Sequence, residues 1–182
     1  MNNIKSNILW ITRTAMFIAL LTALHAATQP LGNQFITGSV VNLVLIVSVM
    51  TCGLASGTVV AVFSPVIAFI LPFPIGPQLP LIIPFVCLGN VALVVIWHFT
   101  GNRNFGNKYI ALVTALIAGA VGKFAVLYFG VVRFVAPLVL GLPETAPVYI
   151  LFSYPQLITA SIGGFLAILL LPVIKKAIKT GS

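Results

Sequence analysis

A single acidic residue, Glu144, stands in a chain of 182 residues, and aspartate is absent altogether. That scarcity excludes whole classes of chemistry. Glycosidases and aspartyl proteases work with paired carboxylates, and Mg²⁺-dependent phosphoryl or prenyl transfer needs a cluster of oxygen ligands. A Ser/His/Asp triad cannot be assembled without an aspartate. No G-x-x-x-x-G-K-[ST] run occurs, so ATP is not held by the usual phosphate loop. Cysteine is almost as rare: Cys52 and Cys87 lie in or beside apolar runs, too few for a zinc site, and read as small buried hydrophobes. No catalytic residue, metal ligand or cofactor is expected.

Charge of either sign is thin. Only 5% of residues are Asp, Glu, Lys or Arg, where a soluble domain carries about 25%. Apolar residues make up 60% of the chain and the mean hydropathy is +1.21. Such a composition cannot cover a globule with polar surface, so the expectation is an all-α polytopic membrane protein occupying the bilayer as one domain over residues 1–182. The net charge of +8 does not point to nucleic acid, because most of the basic residues sit at the ends of apolar segments and act as topology signals.

A membrane-spanning helix takes about 20 apolar residues, and six segments of that kind can be drawn. They run from about Ile8 to Ala27, Ile36 to Thr51, Leu54 to Leu71, Leu81 to Phe99, Tyr109 to Phe129 and Ile150 to Ile174. The first follows Lys5 and Arg13 like a secretory leader, but is read as a retained span. Lys5, Arg13, Arg103, Lys108, Lys175, Lys176 and Lys179 then fall on one side, against Arg133 on the other. Both termini are therefore expected in the cytoplasm. The outward connections, 28–35, 72–80 and 130–149, are the longer ones, and the proline-rich second is expected to be stiff.

Lys123 is the most informative side chain. It stands about fourteen residues into the fifth segment, roughly 20 Å from its inner end, at a depth where an ionisable group usually faces a cavity or a partner. Snorkelling to the outer headgroups is the alternative. Arg133, further out, reads equally as an interface anchor. Neutral polar groups gather toward the same side: Gln29, Asn33, Gln34, Asn42, Gln78, Asn90, with Tyr128, Tyr149, Tyr154 and Gln156 around the last two segments. In lipid an unsatisfied amide is expensive, so Asn42, Asn90 and Gln156 should face the interior, either bonding between helices or meeting a ligand. His25 and His98 lie near opposite ends and read as local hydrogen-bonding groups.

Ala15, Ala19 and Ala23 recur every four residues and form one smooth stripe on the first helix. Small residues let another helix approach closely, whether inside the chain or on a partner. Similar pairs at Ala115/Gly119, Ala118/Gly122 and Ala160/Gly164 read as internal packing.

Size, six-span topology with both termini inside, the stripe Ala15/Ala19/Ala23 and a long first outer loop together resemble the substrate-binding S components of energy-coupling factor vitamin transporters. The resemblance covers essentially the whole chain. It implies a bacterial plasma-membrane protein that captures a small vitamin or precursor outside, with the site in the outer halves of the fourth to sixth spans and the outer loops as a lid. It implies a partner set of one transmembrane coupling subunit, docked on Ala15, Ala19 and Ala23, and two cytoplasmic ATPases whose hydrolysis topples the S component to release its cargo inside. The binding residues expected are Gln34, Asn42, Asn90, Lys123, Tyr128 and Gln156. A cationic vitamin is disfavoured by the missing acids. The polar set suits a neutral heterocycle of the hydroxymethylpyrimidine or pyridoxine type, with the small carboxylate pantothenate next. A self-contained channel or facilitator is the competing class; it predicts polar groups through the inner halves of the spans, which here are almost purely apolar.

Overall fold

Glycine and asparagine set the boundaries of the first long helices. Gly53 adopts φ +87°, a backbone conformation that side chains rarely tolerate, and breaks what would otherwise be one apolar run into two helices. Asn33 and Asn107 cap the helices that follow them, each side-chain oxygen accepting from a backbone N–H two residues on at 2.9 Å. The computed structural model describes residues 2–71, 79–103 and 106–180, with side chains from 7–71, 80–103 and 106–178. Its long helices are α1 (Asn2–Thr28), α2 (Gln34–Cys52), α3 (Leu54–Ile70), α4 (Leu79–Gly101) and α5 (Lys108–Leu127), then a short α6 (Pro147–Leu151) and α7 (Tyr154–Thr180). No strand occurs among the described residues.

Among the described residues five spans are long and apolar enough to cross a membrane, while α3, at 17 residues, falls short of that length. Leu9, Trp10 and Arg13 of α1 meet Thr51 and Cys52, Gly101 lies against Met50, and Lys108 is near Lys175. One end of the bundle therefore gathers the early part of α1, the α2–α3 junction, the α4 end, the α5 start and the late part of α7. This is called the terminal end here, and the opposite one the loop end. The basic side chains Arg13, Arg103, Lys108, Lys175 and Lys176 belong to the terminal end and Arg133 to the loop end. Large apolar side chains stay exposed around the perimeter, among them Met16, Ile70, Ile117, Phe129, Leu138 and Val173. A perimeter of that kind suits a membrane-embedded protein.

Two connections are more helical than the sequence suggests. Residues 29–31 form a 3₁₀ turn, leaving only Gly32 and Asn33 between α1 and α2. The stretch expected as a loop from 130 to 149 instead continues α5 as twelve residues of wider π-type helix, Tyr128–Val139. Only 140–146 remains irregular before α6. The expected sixth segment corresponds to the span Pro147–Ile178, made of α6 and α7 with Phe152 and Ser153 between them. The stiff loop expected at 72–80 lies mostly outside the described residues, as does Gln78.

The main core fills the terminal half with Leu21, Leu45, Ile46, Leu93, Trp97 and Leu112, all 2% exposed or less. A second, smaller cluster at the loop end joins the π-type segment to the start of α4 and to α6 through Ile82, Val131, Val135 and Val148. The glycine pairs of the sequence pack inside: Gly119 lies against Trp97, Gly122 against Ile96 and Gly164 against Trp97 and Leu116. The first helix is tied down by polar contacts as well. Thr14 donates to the carbonyl of Trp10 or shares its proton with Ser56 of α3, both at 2.8 Å and both side chains buried. Thr14→Val removes the inter-helix partner and strands the Ser56 hydroxyl, and should cost about 1 kcal/mol of stability. Thermal unfolding in detergent measures it; an unchanged midpoint would assign the anchoring of α1 to apolar packing alone.

Candidate functional site

The floor of the site is an ammonium held by amides. Lys123 of α5 is 4% exposed, and its Nζ donates to Oδ1 of Asn42 at 2.6 Å and to Oδ1 of Asn90 at 2.7 Å. Those lengths are at or just below the usual range of charge-assisted bonds. The side chain therefore turns into the bundle rather than out toward headgroups, and it bridges α5 to both α2 and α4.

Each asparagine is in turn fixed by a feature of its neighbouring helix. Pro65 lies inside α3 and has no backbone N–H, so the carbonyl four residues earlier, Ala61, lacks its usual helical donor. Asn90 Nδ2 donates to that carbonyl at 3.4 Å. A proline on one helix thus aims an amide on the next, as expected where freed backbone groups must be re-satisfied in an apolar interior. On the other flank, Asn42 Nδ2 donates to Thr159 Oγ1 at 3.4 Å, and that hydroxyl donates to the Gln156 carbonyl at 3.2 Å. The contact requires α2 and α7 to cross closely, which Gly163 permits. A Cβ built there would lie 2.7 Å from the Ser39 carbonyl oxygen, 2.8 Å from Asn42 Cβ and 2.9 Å from the Leu43 nitrogen.

All three of those obstacles are backbone or Cβ atoms, which cannot swing aside. Gly163→Ala should therefore push α2 off α7 at a cost of about 1–3 kcal/mol, displacing Asn42 with it. Unfolding midpoints compared with Gly164→Ala, which meets side-chain atoms of Trp97 and Leu116 at 3.1 Å or more, test this. Equal effects would show that the α2–α7 crossing is not the constraint.

Above the ammonium opens a cavity of about 340 Å³. Lys123 and Asn90 lie at its base, and Gln34, Thr37, Ser64 and Gln156 add polar groups to the walls. The rest is apolar, with Val41, Pro65, Ile82, Val86 and Phe152 prominent. Gln156 spends an amide N–H on the Leu151 carbonyl at 2.9 Å. On the same helix as Asn90, one and two turns beyond it, Val94 and Trp97 are fully buried in the main core.

Four of the residues expected from sequence line this space: Gln34, Asn90, Lys123 and Gln156. Asn42 stands just behind, as a ligand of the lysine rather than a wall. Tyr128 is placed elsewhere, its ring 5.4 Å from that of Phe124 and 5.4 Å beneath the Arg133 guanidinium, at the start of the π-type segment. The walls also extend beyond the fourth to sixth spans, to the α1–α2 junction. His25 is the residue sequence reasoning passed over: 7% exposed, it lines the cavity with its Nδ1 unpartnered. The signal available for it was its place one turn before the polar run Gln29–Gln34. Pro65 was also passed over, although a proline in mid-span always frees the carbonyl four residues before it.

What fold and site define together is a helical bundle with a pocket that buries a lysine and an asparagine in its lining. No family model, curated protein or solved structure matches the chain.

Proposed function

We propose that this chain is the substrate-binding S component of an energy-coupling factor importer in the plasma membrane of a bacterium, capturing a small water-soluble vitamin or precursor. In this reading all six long helices span the bilayer, α3 included, and the basic terminal end is cytoplasmic by the positive-inside rule. The loop end faces outward, where the cavity receives its cargo. The observation that carries the reading is the cavity itself, mostly apolar in its walls and furnished with a few directed polar groups. A channel or facilitator needs a polar route onward, and the packing around Trp97 opposes one.

A second feature supports a partner. Ala15, Ala19 and Ala23 are exposed, while the opposite face of α1 buries Thr14, Leu21 and His25. The smooth stripe is thus not used for packing within the chain and suits the docking of a transmembrane coupling subunit. Two cytoplasmic ATPases joined to that subunit would supply the energy for toppling and inward release, which a chain without a phosphate loop and with one acid does not supply itself. Of the cargoes expected, the hydroxymethylpyrimidine or pyridoxine type relies on open amides, and the pantothenate type on a cation.

Affinity purification from native membranes tests the proposal. It should recover a coupling subunit with its ATPases, and the isolated chain should bind a vitamin saturably. A chain that purifies alone and binds none would overturn it.

A further inference from the structure

The amides at the floor of the cavity are already engaged. Asn42 and Asn90 give their carbonyl oxygens to Lys123 and an N–H each to Thr159 and Ala61. Gln156 gives an N–H to Leu151. Gln34 and Gln156 furnish the walls, but what stays open at the floor is different in kind. An ammonium has three donors; Lys123 uses two on the asparagines, and the residue lines the cavity. Its charge is met by amide dipoles but by no opposite charge, since the chain's one acidic side chain, Glu144, is exposed in the 140–146 connection. A buried cation in that position calls for an anion brought by the ligand.

We propose that the cavity takes a small organic acid with one carboxylate, seated on the Lys123 ammonium, whose uncharged body reaches His25. The inference rests on the ligand-capture reading above and narrows it. One cation with one open donor suits a monocarboxylate; a phosphate ester brings about −1.5 to −2 charge and three acceptor oxygens, more than this floor can meet. The apolar walls of Val41, Pro65, Ile82, Val86 and Phe152 favour an uncharged body. His25 lines the same cavity, so its imidazole lies beside that body. A volume of about 340 Å³ sits near the small end of ligand sites.

The test pairs acids with neutral counterparts. Small molecules released from the protein purified out of its native membranes are identified by mass spectrometry. In parallel, binding is measured for nicotinate against nicotinamide, pantothenate against pantothenol, and hydroxymethylpyrimidine and pyridoxine. The expected released molecule is a monocarboxylate, and the acid of a binding pair should exceed its neutral partner by about tenfold or more. Asn42→Asp sets a carboxylate against Nζ with little change of shape. It should cost the acid about tenfold or more while leaving the neutral partner within about threefold. Lys123→Met removes the cation and gives the same loss of preference should the aspartate variant fail to fold. His25→Leu should weaken the acid without altering its preference over the neutral partner, because it touches only the body. A neutral molecule released, or neutral probes binding as tightly as every acid, overturns the anion and leaves vitamin capture standing. An acid preference that survives both Asn42→Asp and Lys123→Met overturns it too. No released molecule and no saturable binding by any probe overturns both readings.

Discussion

Lys123→Met should lower ligand affinity by tenfold or more, about 1.4 kcal/mol, and should also lower the stability of the empty protein. The second effect separates this lysine from one that snorkels. Methionine fills a similar volume but donates nothing, so Oδ1 of Asn42 and Oδ1 of Asn90 lose the bonds they make at 2.6 and 2.7 Å in a buried setting. A buried acceptor left without a donor costs about 1–3 kcal/mol, and here there are two. The helices α2 and α4 also lose the side chain that ties both to α5. Unfolding in detergent without ligand reads the stability term, and titration reads the affinity. The triple variant Lys123→Met, Asn42→Leu, Asn90→Leu refines the test. It removes donor and acceptors together, so stability should recover toward that of the parent while binding stays lost. An unchanged midpoint and unchanged affinity in the single variant would mean that Lys123 neither holds the bundle nor meets the ligand.

The depth of Lys123 in an apolar segment was enough to single it out, since composition alone makes a lone cation in mid-helix expensive. Which groups satisfy it could not be read the same way. Asn42 and Asn90 are 81 and 33 residues from Lys123 along the chain, and their meeting depends on how five helices cross. The first five segments fell close to the observed helices, because the ends at Gly53, Asn33 and Asn107 are set by a positive φ or a cap, properties of a few adjacent residues. The continuation of α5 through Tyr128–Val139 was not legible, because Gly130 and Pro137 read as loop signals and the segment is held instead by a tertiary cluster with Ile82 and Val148. Tyr128 was expected on a helix, near the end of the fifth segment, but its position in the sequence does not say which way it faces, and its ring is carried against Phe124 and Arg133. His25 was undervalued for a related reason. A histidine near a helix end usually bonds locally, and only the close return of the chain through Gly32 and Asn33 brings it to the same cavity as Lys123.

Ala19→Trp should leave ligand binding by the isolated chain intact and reduce uptake in cells by about tenfold or more, since a bulky residue at the centre of a close helix contact forbids the approach outright. The asymmetry follows from where α1 is buried. Ala19 is exposed, and the residues that bind α1 into the bundle, Thr14, Leu21 and His25, lie on the other side of the same helix. An indole added outward therefore meets no atom of this chain's core and does not reach Lys123 or His25. Its cost falls entirely on whatever packs against the stripe. Ala19→Ser, small and able to bond within its own helix, should keep uptake near the parent value. The matched pair of measurements is saturable binding by the purified variant and radiolabelled uptake by cells that express it with its partners. Loss of both together would place Ala19 in the fold after all. Binding and uptake both retained would leave the exposed alanines as lipid-facing surface, and the coupling subunit would then have to dock on another helix.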